Sequence, residues 1–176
     1  MPERSSVSWN AMIMGFSNWG ELEQARLLSE RIASPYVFSW TGMIDGYTRF
    51  HQPNRALALF SRMSEKSLMP NKITILAIVT SISNLGSLEL AETMHAHCHK
   101  RALTTMDVRA ESSLIDMYAK CRSIGNSKKV FDRMSERRNL VSWTSIITGF
   151  AAHGIVNEAI QLFDEMRKEE NISPNR

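Results

Sequence analysis

The ten residues Val141-Ser142-Trp143-Thr144-Ser145-Ile146-Ile147-Thr148-Gly149-Phe150 constrain the fold of this chain more than any other stretch. Trp143, Ile146, Ile147 and Phe150 fall at i, i+3, i+4 and i+7, the apolar stripe of one amphipathic helix. The pattern recurs at Val7–Phe16 and at Phe38–Tyr47. With Trp9 as the anchor, the equivalent residues are Trp40, Ile75, Glu111 and Trp143, at intervals of 31, 35, 36 and 32 residues. A near-constant period of this size is the signature of a solenoid. The stripe holds in every unit: Trp9/Met12/Ile13/Phe16, Trp40/Met43/Ile44/Tyr47, Ile75/Ile78/Val79/Ile82, Glu111/Leu114/Ile115/Tyr118 and Trp143/Ile146/Ile147/Phe150. Only Glu111 breaks it.

A short break and a second helical segment follow each stripe. Gly20, Gly86 and Gly154 stand at matched positions in the break, with His51 and Arg122 in their place in the other two units. Glycine suits a tight helix–helix turn. The second segments are Glu21–Arg31, Asn54–Met63, Leu88–Lys100, Asn126–Met134 and Asn157–Arg167. A small residue recurs in them (Ala25, Ala56, Ala91, Ser127, Ala159), letting paired helices approach closely. Phe60, Phe131 and Phe163, four residues later, are expected to fill the groove beside it. Units close in polar turns, at Met69-Pro70-Asn71 and Ser173-Pro174-Asn175. Each unit is thus a helical hairpin that cannot bury its apolar face alone, and five stacked in series predict an all-α, right-handed superhelical solenoid.

A hydrophobic content of 43% supports a continuous core. The net charge of +3 and pI near 9.0 suit an anionic partner without specifying one. Two cysteines, Cys98 and Cys121, do not make a disulfide framework. No run approaches the roughly 18 apolar residues of a membrane span.

Met1-Pro2-Glu3-Arg4 before Val7-Ser8-Trp9 repeats Met134-Ser135-Glu136-Arg137-Arg138 before Val141-Ser142-Trp143. Residues 1–5 therefore read as the tail of a missing repeat, and the chain as a fragment of a longer array, with no targeting leader of its own. Val7–Ile13, Leu114–Cys121 (LIDMYAKC), Lys128–Met134 (KKVFDRM) and Glu158–Met166 (EAIQLFDEM) then carry a specific resemblance. The chain resembles pentatricopeptide repeats of the plant-expanded PLS subclass, in which standard, long and short repeats alternate. In that register the repeats are 6–36 (short), 37–71 (standard), 72–107 (long, with Met94-His95-Ala96), 108–139 (short) and 140–176 (standard).

The resemblance implies that the first helices line the concave face of the array and read single-stranded RNA, one base per repeat. Positions two, five and nine of each repeat point roughly 140° from the buried stripe. Base reading falls to the fifth residue paired with the last residue of its repeat: Asn10/Tyr36, Thr41/Asn71, Leu76/Asp107, Ser112/Asn139 and Thr144/Asn175. Thr or Ser with Asn resembles an adenine code and Asn at position five a pyrimidine preference; Leu76 offers no polar group. The implied ligand is 5′-pyrimidine, A, any, A, A-3′. The second residues, Val7, Phe38, Ile73, Arg109 and Val141, would sandwich the bases, and Arg49 and Lys120 would contact phosphates. The resemblance further implies a role in organellar RNA processing, as recognition of C-to-U editing sites in a mitochondrion or chloroplast, alongside other RNA-editing factors. No membrane, small-molecule substrate, cofactor or metal is expected.

Other constellations take ordinary readings. Of His95, His97 and His99, only His95 and His99 share a helix face, and no H-E-x-x-H follows. Cys121 reads as a packing residue. Arg133, Arg137 and Arg138 read as a solvated basic turn between repeats. The H-x-E and C-x-x-C pair of a zinc deaminase is absent from these residues, so no catalysis is expected of this chain. Two alternatives stay open at this level: a protein–protein interaction scaffold, suggested by Leu76 and Tyr36 at reading positions, and an inert truncated fragment.

Overall fold

The computed structural model describes residues 6–30, 37–100 and 108–169, without the side chains of Ser6, Val7 and Lys100. Val7, Tyr36, Asp107 and Asn175 thus carry proposed roles that lie outside the described side chains. Among the described residues, regular structure is entirely helical. The helices are α1 (Ser6–Trp19), α2 (Leu22–Glu30), α3 (Val37–Arg49), α4 (Pro53–Glu65), α5 (Lys72–Leu85), α6 (Leu88–Lys100), α7 (Val108–Lys120), α8 (Ile124–Met134), α9 (Leu140–Ala152) and α10 (Val156–Lys168), with a 3-10 turn at Ser135–Arg137. The chain forms two compact units, Met1–Ser81 and Ile82–Arg176. In the first, α1 packs on α2 and α3, and α3 on α4. In the second, α7 packs on α8 and α9, and α9 on α10. The expected all-α hairpin pairing is therefore seen within each unit.

The stripe is the core. Trp40, Met43, Ile44 and Tyr47 are buried in α3, as are Leu114, Ile115 and Tyr118 in α7 and Trp143, Ile146 and Phe150 in α9. α1 has no described helix on its outer side, and its Trp9, Met12 and Phe16 are only half-buried. The recurrent small residue is buried in all five second helices; Ser127 also donates to the Ile115 carbonyl at 2.8 Å. The aromatic four residues later behaves less uniformly than expected. Phe131 is fully buried with its ring against Trp143 at 4.7 Å, whereas Phe163 is 39% exposed. Phe60, at the matched position, is half-buried.

The inter-helix turns follow from backbone geometry. Gly20, Gly86 and Gly154 have φ of +83°, +67° and +72°, and the matched His51 and Arg122 adopt +55° and +59°. A helix C-terminus that ends this way satisfies carbonyls otherwise left without donors. Gln52 N donates to Tyr47 O at 2.8 Å, Ser123 N to Tyr118 O at 2.9 Å and Ile155 N to Phe150 O at 3.0 Å. Three second helices, α4, α8 and α10, begin one or two residues earlier than hydrophobic periodicity indicates. α4 opens on Pro53, whose missing N–H costs nothing at the first helical position, and α8 opens at Ile124.

Glu111, the break in the stripe, is accommodated by a charge. Its side chain is 12% exposed and takes the Arg137 guanidinium at 2.9 Å. The basic turn is thus only partly solvated, contrary to the sequence reading. Arg138 lies 4.3 Å over the Phe131 ring and 5.5 Å from that of Trp143. Guanidinium planes stack on aromatic faces, so two of the three arginines are used inside the array.

Left-handed backbone strains every residue but glycine by about 1–2 kcal/mol. Arg122→Gly is therefore expected to stabilise the chain by roughly 0.5–1 kcal/mol after the added freedom of the unfolded state, measured by urea denaturation. Gly15 and Gly149 occupy the same place in their repeats. A methyl at Gly149 would stand 2.9 Å from Ala119 Cβ, while at Gly15 it meets nothing within 4 Å. Gly149→Ala is expected to cost about 1–3 kcal/mol and Gly15→Ala to gain up to about 1 kcal/mol, again read from urea midpoints.

Candidate functional site

The proposed reading residues sit on the first helices and at the junctions that lead into them. Asn71 caps α5: its Oδ1 accepts from Thr74 N at 2.9 Å and lies 3.1 Å from the Thr74 hydroxyl. Thr74 Oγ1 is in turn 2.8 Å from Thr41 Oγ1, which also donates to the Val37 carbonyl at 2.8 Å. The fifth and last residues of the second repeat are thereby joined through the third residue of the next one. Asn139 repeats the capping. Its Oδ1 accepts from Ser142 N, and the Ser142 hydroxyl accepts from Asn139 N, both at 2.9 Å. In both junctions the carbonyl of the Asn amide is consumed by the cap, and its NH2 is left as a donor among the described residues.

The fifth residues differ in exposure. Thr41 and Ser112 are buried, Asn10 is half-buried and Thr144 is exposed. Sequence periodicity places all of them off the stripe but does not see that the next first helix packs over them. Asn10 Oδ1 accepts from the hydroxyl of Ser39. Ser112 Oγ donates to Val108 O at 2.7 Å, and Thr144 Oγ1 to Val141 O at 3.0 Å. Leu76 is half-buried. The second residues are open to solvent: Phe38, Ile73 and Val141 are each more than half exposed, and Arg109 is exposed. The exposed apolar side chains at this position in α3, α5 and α9 are available for stacking in a way that a core residue is not.

The two candidate phosphate contacts are already paired. Arg49 Nε donates to Asp45 at 2.9 Å and its Nη2 to Asn18 Oδ1 at 2.7 Å. Lys120 bonds Asp116 at 2.8 Å. A phosphate would compete with a carboxylate four residues away, an exposed pair of small stability.

Sequence reasoning missed the third residue of each repeat. Ser39, Thr74 and Ser142 bond a proposed reading residue, and all three are buried. The signal was present: Ser or Thr immediately precedes the anchor in Ser8-Trp9, Ser39-Trp40, Thr74-Ile75 and Ser142-Trp143, and lies three residues after Asn71 and Asn139.

The histidines and cysteines do structural work. His95 Nδ1 lies 2.8 Å from the Tyr118 hydroxyl, with the rings edge to face at 5.5 Å. Burial lowers the His95 pKa and raises that of Tyr118 to about 12. Burial likewise pushes the Cys98 thiol up to about 11 and raises that of Cys121, which keeps both protonated and poorly nucleophilic at neutral pH.

Comparison with known proteins converges on one family. The PPR repeat family profile matches residues 138–176, and the PPR repeat profile matches residues 7–28, 38–68 and 112–139. The Arabidopsis thaliana pentatricopeptide repeat-containing protein At1g09220, mitochondrial, is 44% identical over 100% of this chain and 35% of its own length. At1g59720, chloroplastic/mitochondrial, from the same plant, is 37% identical over 94% of this chain and 26% of its own length. The chain thus spans about a quarter to a third of these relatives. The crystal structure of the maize protein PPR10 superposes with a TM-score of 0.78 at 17% identity, over 98% of this chain and 25% of that one. PPR10 in complex with an 18-nt psaJ RNA element gives a TM-score of 0.75 at 16% identity, over 98% and 26%. These likenesses show a shared solenoid fold. With profiles matching at the periodic Trp-led hairpins, and with that fold, the chain belongs to the pentatricopeptide repeat family.

Proposed function

We propose that this chain is a sequence-selective segment of a longer single-stranded-RNA-binding protein. The observation that carries this reading is the Thr41–Thr74–Asn71 network. Two polar groups from opposite ends of one repeat meet at a single inter-helix step, joined through the Thr74 hydroxyl. An array whose repeats each place a polar fifth residue beside the last residue can select bases in register. The exposed second residues Phe38, Ile73, Arg109 and Val141 supply surfaces for stacking on either side of a base. The RNA bound in the PPR10 complex supports the ligand class.

In this reading the repeats select 5′-pyrimidine, A, any, A, A-3′, with the Leu76 repeat indifferent. The succession of short, standard, long, short and standard repeats supports the PLS subclass, whose role in C-to-U editing is to position the target for chemistry performed elsewhere. Relatives named mitochondrial and chloroplastic support an organelle as the place of action of the full protein, with other RNA-editing factors as its partners.

Thr144 is exposed, so its replacement leaves the packing alone. Thr144→Asn is expected to shift the preferred last base from adenine to a pyrimidine, with about a tenfold change in relative Kd, or roughly 1.4 kcal/mol. Fluorescence anisotropy on paired oligonucleotides at fixed salt measures it; equal binding to every sequence would sink the code. Asn139 separates reading from folding. Asn139→Ala removes the cap and is expected to cost about 1 kcal/mol of stability. Asn139→Asp keeps the cap but replaces the free NH2 donor with an acceptor, so the melt is preserved while adenine affinity at that repeat falls.

A further inference from the structure

The second helices of the first unit frame a cavity that has no counterpart in the sequence reading. It has a volume of about 550 Å³, lies between α2 and α4, and is lined by Trp40, Ser29, Arg26, Arg55, Arg62 and Lys66 among others. Trp40 is 5% exposed, yet its Nε1 has no hydrogen-bond partner among the described residues. A buried donor without an acceptor is uncommon in a folded protein and calls for an explanation.

The second unit contains the same step in a filled state. Trp143, the register equivalent of Trp40, donates its Nε1 to Glu169 Oε2 at 3.0 Å. Phe131 packs edge-on against it at 4.7 Å. Both occupants are replaced in the first unit. Glu169 follows the 13-residue α10 immediately, as Lys66 follows the 13-residue α4. Lys66 has no acceptor to offer. Phe131 lies four residues beyond the small residue Ser127; the residue four beyond Ala25 is Ser29, which leaves the ring's volume open. The indole is therefore unsatisfied and the groove open for two identifiable reasons.

The charge around the groove matches the missing acceptor. Arg26 is held by Glu23 and Glu30. Arg55 lies 5.9 Å over the Tyr47 ring. Arg62 and Lys66 form no ion pair among the described residues. A cationic rim around an orphan N–H donor selects an anionic acceptor, and the apolar floor of Trp40 and Met43 selects a ring or large apolar group. We infer that this groove docks a protein segment presenting an aromatic side chain together with an Asp or Glu carboxylate, which take the places that Phe131 and Glu169 occupy in the second unit. The carboxylate accepts from Trp40 Nε1 and pairs with Arg62 and Lys66. The site lies on the second helices, apart from the proposed reading residues, and does not rest on the RNA reading.

The test pans a phage-displayed random dodecapeptide library against the full chain and measures binding of a fluorescein-labelled consensus peptide. The expected consensus places an aromatic within about four residues of an acidic residue, one helical turn in reach. Two variants fill the groove from within: Ser29→Phe restores the ring and Lys66→Glu restores the acceptor. Each is expected to weaken the peptide at least tenfold while raising the melting midpoint by roughly 2–4 °C, the shift a single regained interaction gives a chain of this size. A loss of peptide binding with a higher melting midpoint cannot come from misfolding. The inference is overturned if no aromatic–acidic consensus is recovered, or if both variants bind the peptide as the parent does. It is also overturned if a random single-stranded 18-mer RNA crosslinks to Trp40 and displaces the peptide, which would assign the groove to nucleic acid.

Discussion

A hairpin of about thirty-five residues carries one apolar stripe and has too little of its own surface to bury it. Everything else in this structure depends on that shortfall. Trp40 and Trp143 reach nearly full burial because the hairpin that precedes each of them packs against its helix. α1, described with a neighbour on one side alone, leaves the same stripe half-covered. Close approach is then demanded of the backbone. Gly149 meets Ala119, and Ala56, Ala91 and Ser127 sit at full burial where second helices turn inward.

The same stacking organises the polar groups. A first helix must begin under a neighbour, and its free N–H groups need an acceptor there. Asn71 and Asn139 provide it with one half of the amide and keep the other half as a donor. The residue that ends one repeat is held rigid by the start of the next, so folding orients the group proposed to select a base. Preorganisation of this kind lowers the entropy that binding would otherwise consume. Thr41 and Ser112 are drawn into the junction by the same packing.

Repeats built to one plan make their departures informative. Glu111 at a stripe position is tolerated because Arg137 reaches it. Arg138 covers Phe131 and Trp143, and Glu169 completes the indole. In the first unit Ser29 and Lys66 stand where a ring and a carboxylate would, and the indole of Trp40 is left without an acceptor among the described residues. Comparing equivalent positions within one chain distinguishes a local vacancy from a general feature of the fold.

The sequence alone determined the helical hairpins, the apolar stripe, the small residues of the second helices and the tight turns at the matched glycines. These are set by periodicity and local backbone sterics, which act within a few residues and are visible as spacing. That His51 and Arg122 take the same left-handed backbone came from the structure. The candidate reading positions were named from the register alone and stand as a proposal. Only the tertiary structure decided which of them are covered, that Ser39, Thr74 and Ser142 bond them, and that Arg137 pairs with Glu111 while Arg138 stacks on Phe131. It alone showed the open groove over Trp40. Those outcomes depend on residues roughly thirty positions apart meeting across neighbouring helices, where the volume and hydrogen-bonding capacity of both partners count together, and no pattern within a single repeat records that sum.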